Sequence, residues 1–174
     1  MFTSIDDFLR YFSSVNRRDM RDVAALPPEA DGWRPPVGEG EKSWDINTII
    51  GHMAGARLYF VSAYRGEGWV NPPRPDVSSP DKWLPVLAES EEKLRALLAD
   101  TPGEWLTRKI DMIDTDARLS GWRILMMMME HDIHHRSQID TYSGINGWDP
   151  PHIYGRSSEQ VATLQQEQVR KYRA

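Results

Sequence analysis

Five histidines are the residues in this chain best suited to chemistry: His52, His131, His134, His135 and His152. Three of them fall within five residues, and their spacing matters more than their number. At about 100° per residue, His131 and His135 lie about 40° apart around a helix and one turn apart along it. Ile124, Met128, Gln138 and Tyr142 fall within about 60° of His131 on the same wheel, with Arg136 and Asp140 on the opposite side. The pair therefore sits in the middle of the face expected to enter the core. One core imidazole is readily satisfied by a hydrogen bond, whereas two adjacent inward-facing ones are harder to satisfy. A shared divalent ion resolves this, because neutral imidazoles at i and i+4 can converge on one metal. Spacing alone leaves a hydrogen-bonded structural pair open as the other reading.

His52 tips the balance towards metal. It shares a helical stripe with Ile49, Ala56, Tyr59 and Ala63, so it can face the same core from a neighbouring helix. Three imidazoles leave a fourth position for water or substrate, the pattern of an open, reactive site. The expected ligands are His52, His131 and His135. His134, at i+3 from His131, is the competing ligand, less central on the buried stripe. His152, after Pro150 and Pro151, reads as a loop residue. Tyr59 and Gln138, on the ligand-bearing faces, are the candidate substrate-binding or ligand-supporting residues. No catalytic residue is assigned.

The elements that must position these side chains are helical. Thr3, with Asp6 three residues on, is a candidate cap for a first helix carrying Ile5, Phe8, Leu9, Phe12 and Val15. This helix ends at Leu26-Pro27-Pro28, and a Pro/Gly-rich connection follows to about residue 43. Asp45 is the N-cap expected for a second helix, which runs to about Tyr64 and stops near Gly66. Its small residues, Gly51, Ala54, Gly55 and Ala56, invite close approach by another helix. Five prolines between Gly66 and Pro85 mark a long connection that crosses the bundle or covers a site. A third helix is expected from Asp81 to Asp100, with Leu87, Leu94, Leu97 and Leu98 on its apolar face. The fourth is expected from Leu119 to Tyr142, ending before Gly144, and a short helix from Ser158 to Tyr172 follows. No stretch alternates long enough to suggest a sheet.

The run Met126 to Met129 is read as packing rather than a soft-metal site. Met128 joins the histidine stripe. Met126 and Met129 join Trp122 and Ile133 on a second stripe, to be covered by the C-terminal segment or by a second copy in a homodimer. Most of the seven tryptophans sit near expected loops and are read as anchors, with one or two lining a substrate pocket.

With 174 residues the chain suits one domain. Hydrophobic residues make up 40% and charged residues 27%, which is ordinary for a soluble globular protein. The net charge of −5 carries no basic stripe, which argues against a nucleic-acid partner. There is no cysteine, so a thiolate cannot come from the protein itself. Residues 1–10 show no signal-like apolar run, and nothing approaches the ~18 apolar residues of a membrane span. The cytoplasm is the expected location.

Two segments then carry a family resemblance. Trp44-Asp45-Ile46-Asn47-Thr48-Ile49-Ile50-Gly51-His52-Met53-Ala54 resembles the second-helix motif of the DinB/YfiT-like proteins. Glu130-His131-Asp132-Ile133-His134-His135-Arg136-Ser137-Gln138-Ile139 resembles their fourth-helix motif, with Ser137 where the family usually has glycine. The resemblance covers about residues 1–145, leaving 146–174 as a C-terminal extension of one domain. It implies an all-α four-helix bundle, up-down-down-up, with a long crossover after the second helix. It also implies a three-histidine site at His52, His131 and His135 for zinc or nickel, and a homodimer. Characterised members of such a family use low-molecular-weight thiols for S-transfer or isomerisation. The expected function is therefore a metal-dependent thiol S-transferase acting on a small molecule, or a related metal-dependent hydrolase. The alternatives are a non-catalytic, stress-related metal- or ligand-binding bundle and a metal-free bundle with a buried histidine cluster.

Overall fold

Asp45 opens the helix that carries His52: its carboxylate accepts from the Thr48 amide at 2.7 Å. That helix closes on Gly66, whose φ of +83° is open to glycine at little cost. The computed structural model describes residues 2–173 and has helices α1 (Ile5–Ala24), α2 (Ile46–Arg65), α3 (Pro80–Ala99), α4 (Gly121–Asn146) and α5 (Ser158–Arg173). Strands β1 (Lys109–Asp111) and β2 (Arg118–Ser120) pair antiparallel just before α4. The fold is all-α, as expected.

Local chemistry moved several boundaries. α1 is capped by Ser4 rather than Thr3, because Ser4 Oγ is the acceptor that meets the Asp7 amide, at 3.0 Å. The Thr3 hydroxyl instead donates to the Asp7 carboxylate. α3 starts at Pro80, whose missing N–H costs nothing at a helix start, and it runs on through Pro85. α4 begins at Gly121 rather than Leu119, because Arg118–Ser120 is taken up in the hairpin. Strands of three residues are too short to leave an alternating pattern in the sequence. A Cβ at Gly121 would stand 2.2 Å from the Trp105 carbonyl oxygen, so only glycine lets α4 enter here. At its far end α4 continues through Gly144 to a left-handed Gly147, φ +69°. There the Trp148 amide donates to the Ser143 carbonyl at 3.0 Å, and the Trp148 ring packs on Trp33. That hydrophobic closure, not the first available glycine, ends the helix.

α2 packs on α3 and α4, and α1 packs on α4 and α3. Of the small residues of α2, Gly51 and Gly55 serve the crossover, whereas Ala54 and Ala56 are buried in the core between the helices. A Cβ on Gly51 would lie 3.1 Å from Val77, and one on Gly55 would lie 3.7 Å from Pro72. The proline-rich connection therefore runs along α2, close to its backbone.

The core has two apolar halves. Phe8, Phe12, Phe60, Leu94, Ile124 and Met128 belong to one; Ile46, Ile49, Met53, Leu87, Ile139 and Tyr142 belong to the other. Between them every main helix contributes a buried polar group: Asp19 from α1, Arg57 from α2, Ser90 from α3 and Asp132 from α4. α4 is thus buried on the side of Arg136 as well, which is 3% exposed, and not only on its histidine face. The second apolar stripe is largely used within the chain: Met129 is buried, while Trp122 and Met126 pack against the core. Ile133 stays exposed, and α5 does not cover it, since every described side chain of α5 is exposed. No helix among the described residues is long and apolar enough to cross a membrane.

Candidate metal centre

α2 and α4 bring His52, His131 and His135 together, with one ring nitrogen from each within 4.8 Å of the others. His131 Nε2 stands 2.8 Å from His52 Nε2 and 3.2 Å from His135 Nε2. His134 points elsewhere, to the exposed carboxylate of Glu41 at 3.1 Å. His152 is an exposed loop residue.

Gln138 decides which nitrogen of His135 faces the cluster. Its Nε2 donates to the Glu41 carbonyl at 2.7 Å, which fixes the amide orientation. Its Oε1 therefore faces His135 Nδ1, at 3.0 Å, and must accept from it. The ring proton is thus on Nδ1, and Nε2 offers a lone pair to the centre. His131 must then either oppose that lone pair with its own or split one N–H between two acceptors. A divalent cation would accept all three lone pairs. Two imidazole nitrogens on one tetrahedral zinc would lie about 3.4 Å apart, so the 2.8 and 3.2 Å spacings would have to open by roughly 0.6 and 0.2 Å. The donor set fits a metal.

Burial favours the neutral form of these imidazoles. Burial, then His135, His52 and His134, holds His131 down at about 3. Burial, opposed by the bond to Gln138, holds His135 at about 4. Burial also lowers His52, with Glu41 acting against it. Lone pairs are therefore available for coordination well below neutral pH.

His52 and His131 form part of the wall of a cleft of about 950 Å³ between α2 and the crossover. Trp44, Tyr59 and Phe60 line its α2 side, and residues 71–78 line the other. Trp44 also stacks on His135, with ring centroids 6.0 Å apart. Tyr59, the candidate substrate contact on α2, is on this wall, packed 5.1 Å from the Trp69 ring. Gln138 is not among the lining residues, and its amide is engaged by His135, Glu41 and Tyr142.

The chain matches the DinB family over residues 1–169. It belongs to that family. Among solved structures, a DinB-like protein from Bacillus cereus is 17% identical, with a TM-score of 0.69 over 87% of this chain and 99% of that one. The DinB-like protein YjoA of Bacillus subtilis is 18% identical, with a TM-score of 0.63 over 84% of this chain and 96% of that one. Identities this low show a shared fold. Comparison with curated proteins finds no match.

This DinB-family chain also has a site support that the sequence reading missed. Arg57 Nε donates to Asp132 Oδ2 at 2.9 Å, and both side chains are fully buried. Arg57 is five residues beyond His52, and Asp132 directly follows His131. The ion pair therefore holds the α2 and α4 halves of the histidine cluster in register. A signal was present: Asp19 follows Phe8, Phe12 and Val15 on one stripe of α1, and Arg57 stands alone in an otherwise uncharged stretch of α2.

Replacing Gln138 by leucine frees the His135 tautomer and should weaken metal affinity about 10–100-fold. Isothermal titration checks this, and unchanged affinity would remove Gln138 from the site. Between about pH 6.5 and 4 an unfolded chain protonates His131 while the folded one, held near 3, does not. The unfolded state then binds more protons, so this contribution to stability is lost as pH falls. Asp19 and Asp132, raised chiefly by burial, work in the opposite direction. The contrast is therefore taken against His131→Gln. With chelator present, the wild-type melting temperature should fall more between pH 7 and pH 5 than that of the variant. An equal fall would show that His131 is not held neutral by the fold.

Proposed function

We propose that the protein is a divalent-metal-dependent enzyme that transfers a low-molecular-weight thiol to a small electrophile. The observation carrying this reading is the convergence of three imidazole nitrogens beside a mainly apolar cleft. An ion held there, with zinc or nickel favoured by all-imidazole ligation, would lower the pKa of a thiol or water at its open position. His52, His131 and His135 supply the ligands, and Gln138 sets the proton on His135. Tyr59 and Trp44 contact the substrate body, and the crossover keeps water from it. The chain has no cysteine, which fits a thiol supplied from outside. Metal-dependent hydrolysis is the next chemistry the same centre supports. The proposal takes a homodimer in the cytoplasm as its setting.

The test is a conjugation assay with metal-loaded protein, a small thiol and a chloroaromatic electrophile. Turnover lost on chelation and restored by metal, with the helical content unchanged, supports the enzyme. A cobalt-loaded sample should also gain a sulfur-to-metal charge-transfer band on addition of thiol. Neither turnover nor that band, in protein that melts earlier on chelation, would instead favour a structural metal in a non-catalytic binding bundle.

A further inference from the structure

Glu41 and His134 stand at the surface beside the three-histidine cluster and are not part of it. One ligand atom from each of Glu41, His134 and His135 lies within 4.8 Å of the others. His135 therefore belongs to two sets of three ligands, and exposure is graded between them. The His134 and Glu41 side chains are 62% and 52% exposed, whereas His135 is fully buried. The segment carrying Glu41 is held where it is by contacts to α4. The Glu41 carbonyl accepts from Gln138, the Lys42 carbonyl accepts from the Tyr142 hydroxyl at 3.2 Å, and Trp44 stacks on His135. The contacts that orient His135 thus also hold Glu41 beside it.

We propose that Glu41 and His134, sharing His135 with the inner set, form an outer divalent-cation site that captures the ion from water and passes it to His52, His131 and His135. The proposal rests on the metal reading above. Three neutral imidazoles exert no long-range pull on a cation, and the inner set is partly buried. A carboxylate at the rim supplies that attraction and raises the local cation concentration. It also provides an oxygen ligand that suits a partly hydrated ion. Transfer is a ligand exchange. The bonds to the Glu41 carboxylate and the His134 ring break as those to His52 and His131 form, while His135 stays bound through Nε2, the nitrogen left with a lone pair by the Gln138 contact. No electron moves and the ion keeps its charge.

The experiment mixes metal-free protein with Co²⁺ in a stopped-flow instrument and follows the visible absorbance of the bound ion. Wild type is compared with Glu41→Gln, His134→Ala and the double variant, and circular dichroism verifies the fold of each. The double variant should bind Co²⁺ about tenfold more slowly. Its stoichiometry and dissociation constant should match wild type, so release into excess chelator slows by the same factor. Raised salt should slow uptake in wild type more than in the double variant. Unchanged rates in folded variants would overturn the relay and leave the inner site standing. Faster release with weakened affinity would overturn it too, by making Glu41 a ligand of the final site. Wild type that takes up no Co²⁺ at all would remove the metal reading itself, and the relay with it.

Discussion

Alanine at Arg57 should cost about 3–5 kcal/mol of folding stability. Domains of ordinary size hold only about 5–15 kcal/mol in total, so this one change brings the chain close to unfolding. The cost comes from what remains behind. Arg57 donates to Asp132, to the Leu87 carbonyl at 3.0 Å and to Ser90 Oγ at 2.9 Å, and it pairs with Asp19 at 3.3 Å. Its guanidinium also lies 5.1 Å from the Phe12 ring centre. Removing it leaves two buried carboxyl groups facing each other, with Arg136 offering only longer contacts, 3.7 Å to Asp19 and 3.6 Å to Asp22. Burial and the neighbouring Asp132 already push Asp19 well above the usual carboxylate range, so the network has little spare positive charge. Arg57→Met combined with Asp132→Leu should be milder than Arg57→Ala, because the apolar pair leaves no unpaired charge at that contact. Urea denaturation of the metal-free proteins measures both. A loss below about 1 kcal/mol for Arg57→Ala would place the pair in the class of weak surface bridges and refute its role as the bundle's central tie.

His131→Ala and His135→Ala should each reduce bound metal from about one ion per chain to near none, an affinity loss greater than the roughly hundredfold seen when only a supporting residue is lost. His131 stands between the other two nitrogens, and His135 is the one whose lone pair is aimed by Gln138. Either deletion leaves the inner set with two imidazoles, too few to hold an ion against its hydration, and the exposed outer set captures an ion without retaining it. His134→Ala should keep the metal, because that ring points to Glu41. The melting curve gives a second readout. An ion at a hundredfold excess over its dissociation constant stabilises the fold by about 2.7 kcal/mol, and this gain should vanish in both deletions. Elemental mass spectrometry of the purified proteins decides the matter. Stoichiometric metal in His135→Ala would move the ligand role to His134. No metal in wild type, even after reconstitution, would leave the cluster as core polar residues.

Patterns with a fixed local period were legible from the sequence. The i, i+4 spacing placed His131 and His135 on one helix face, and the Asp45 cap and Gly66 stop bounded the helix bearing His52, because caps and turns are set by a few neighbouring residues. The preference for His135 over His134 also came from that periodicity, and the structure puts His135, not His134, beside His131 and His52. What the local pattern could not provide was the environment across the bundle. α4 is buried on two sides, as its second apolar stripe suggested, but the wheel set Arg136 opposite the histidines without a partner and passed over Asp132. Gly51 and Gly55 were read as meeting another helix, yet they meet the crossover, since a missing Cβ shows only that something comes close. The orientation of Gln138 depended on a carbonyl 97 residues away in sequence, at Glu41. The sequence by itself determined the helices, the family motifs and the helix face on which each of the three histidines lies, because each rests on spacing within one element. Only the tertiary structure decided which nitrogens meet, what holds α2 and α4 in register and where the cleft opens, because those depend on contacts between residues far apart in the chain.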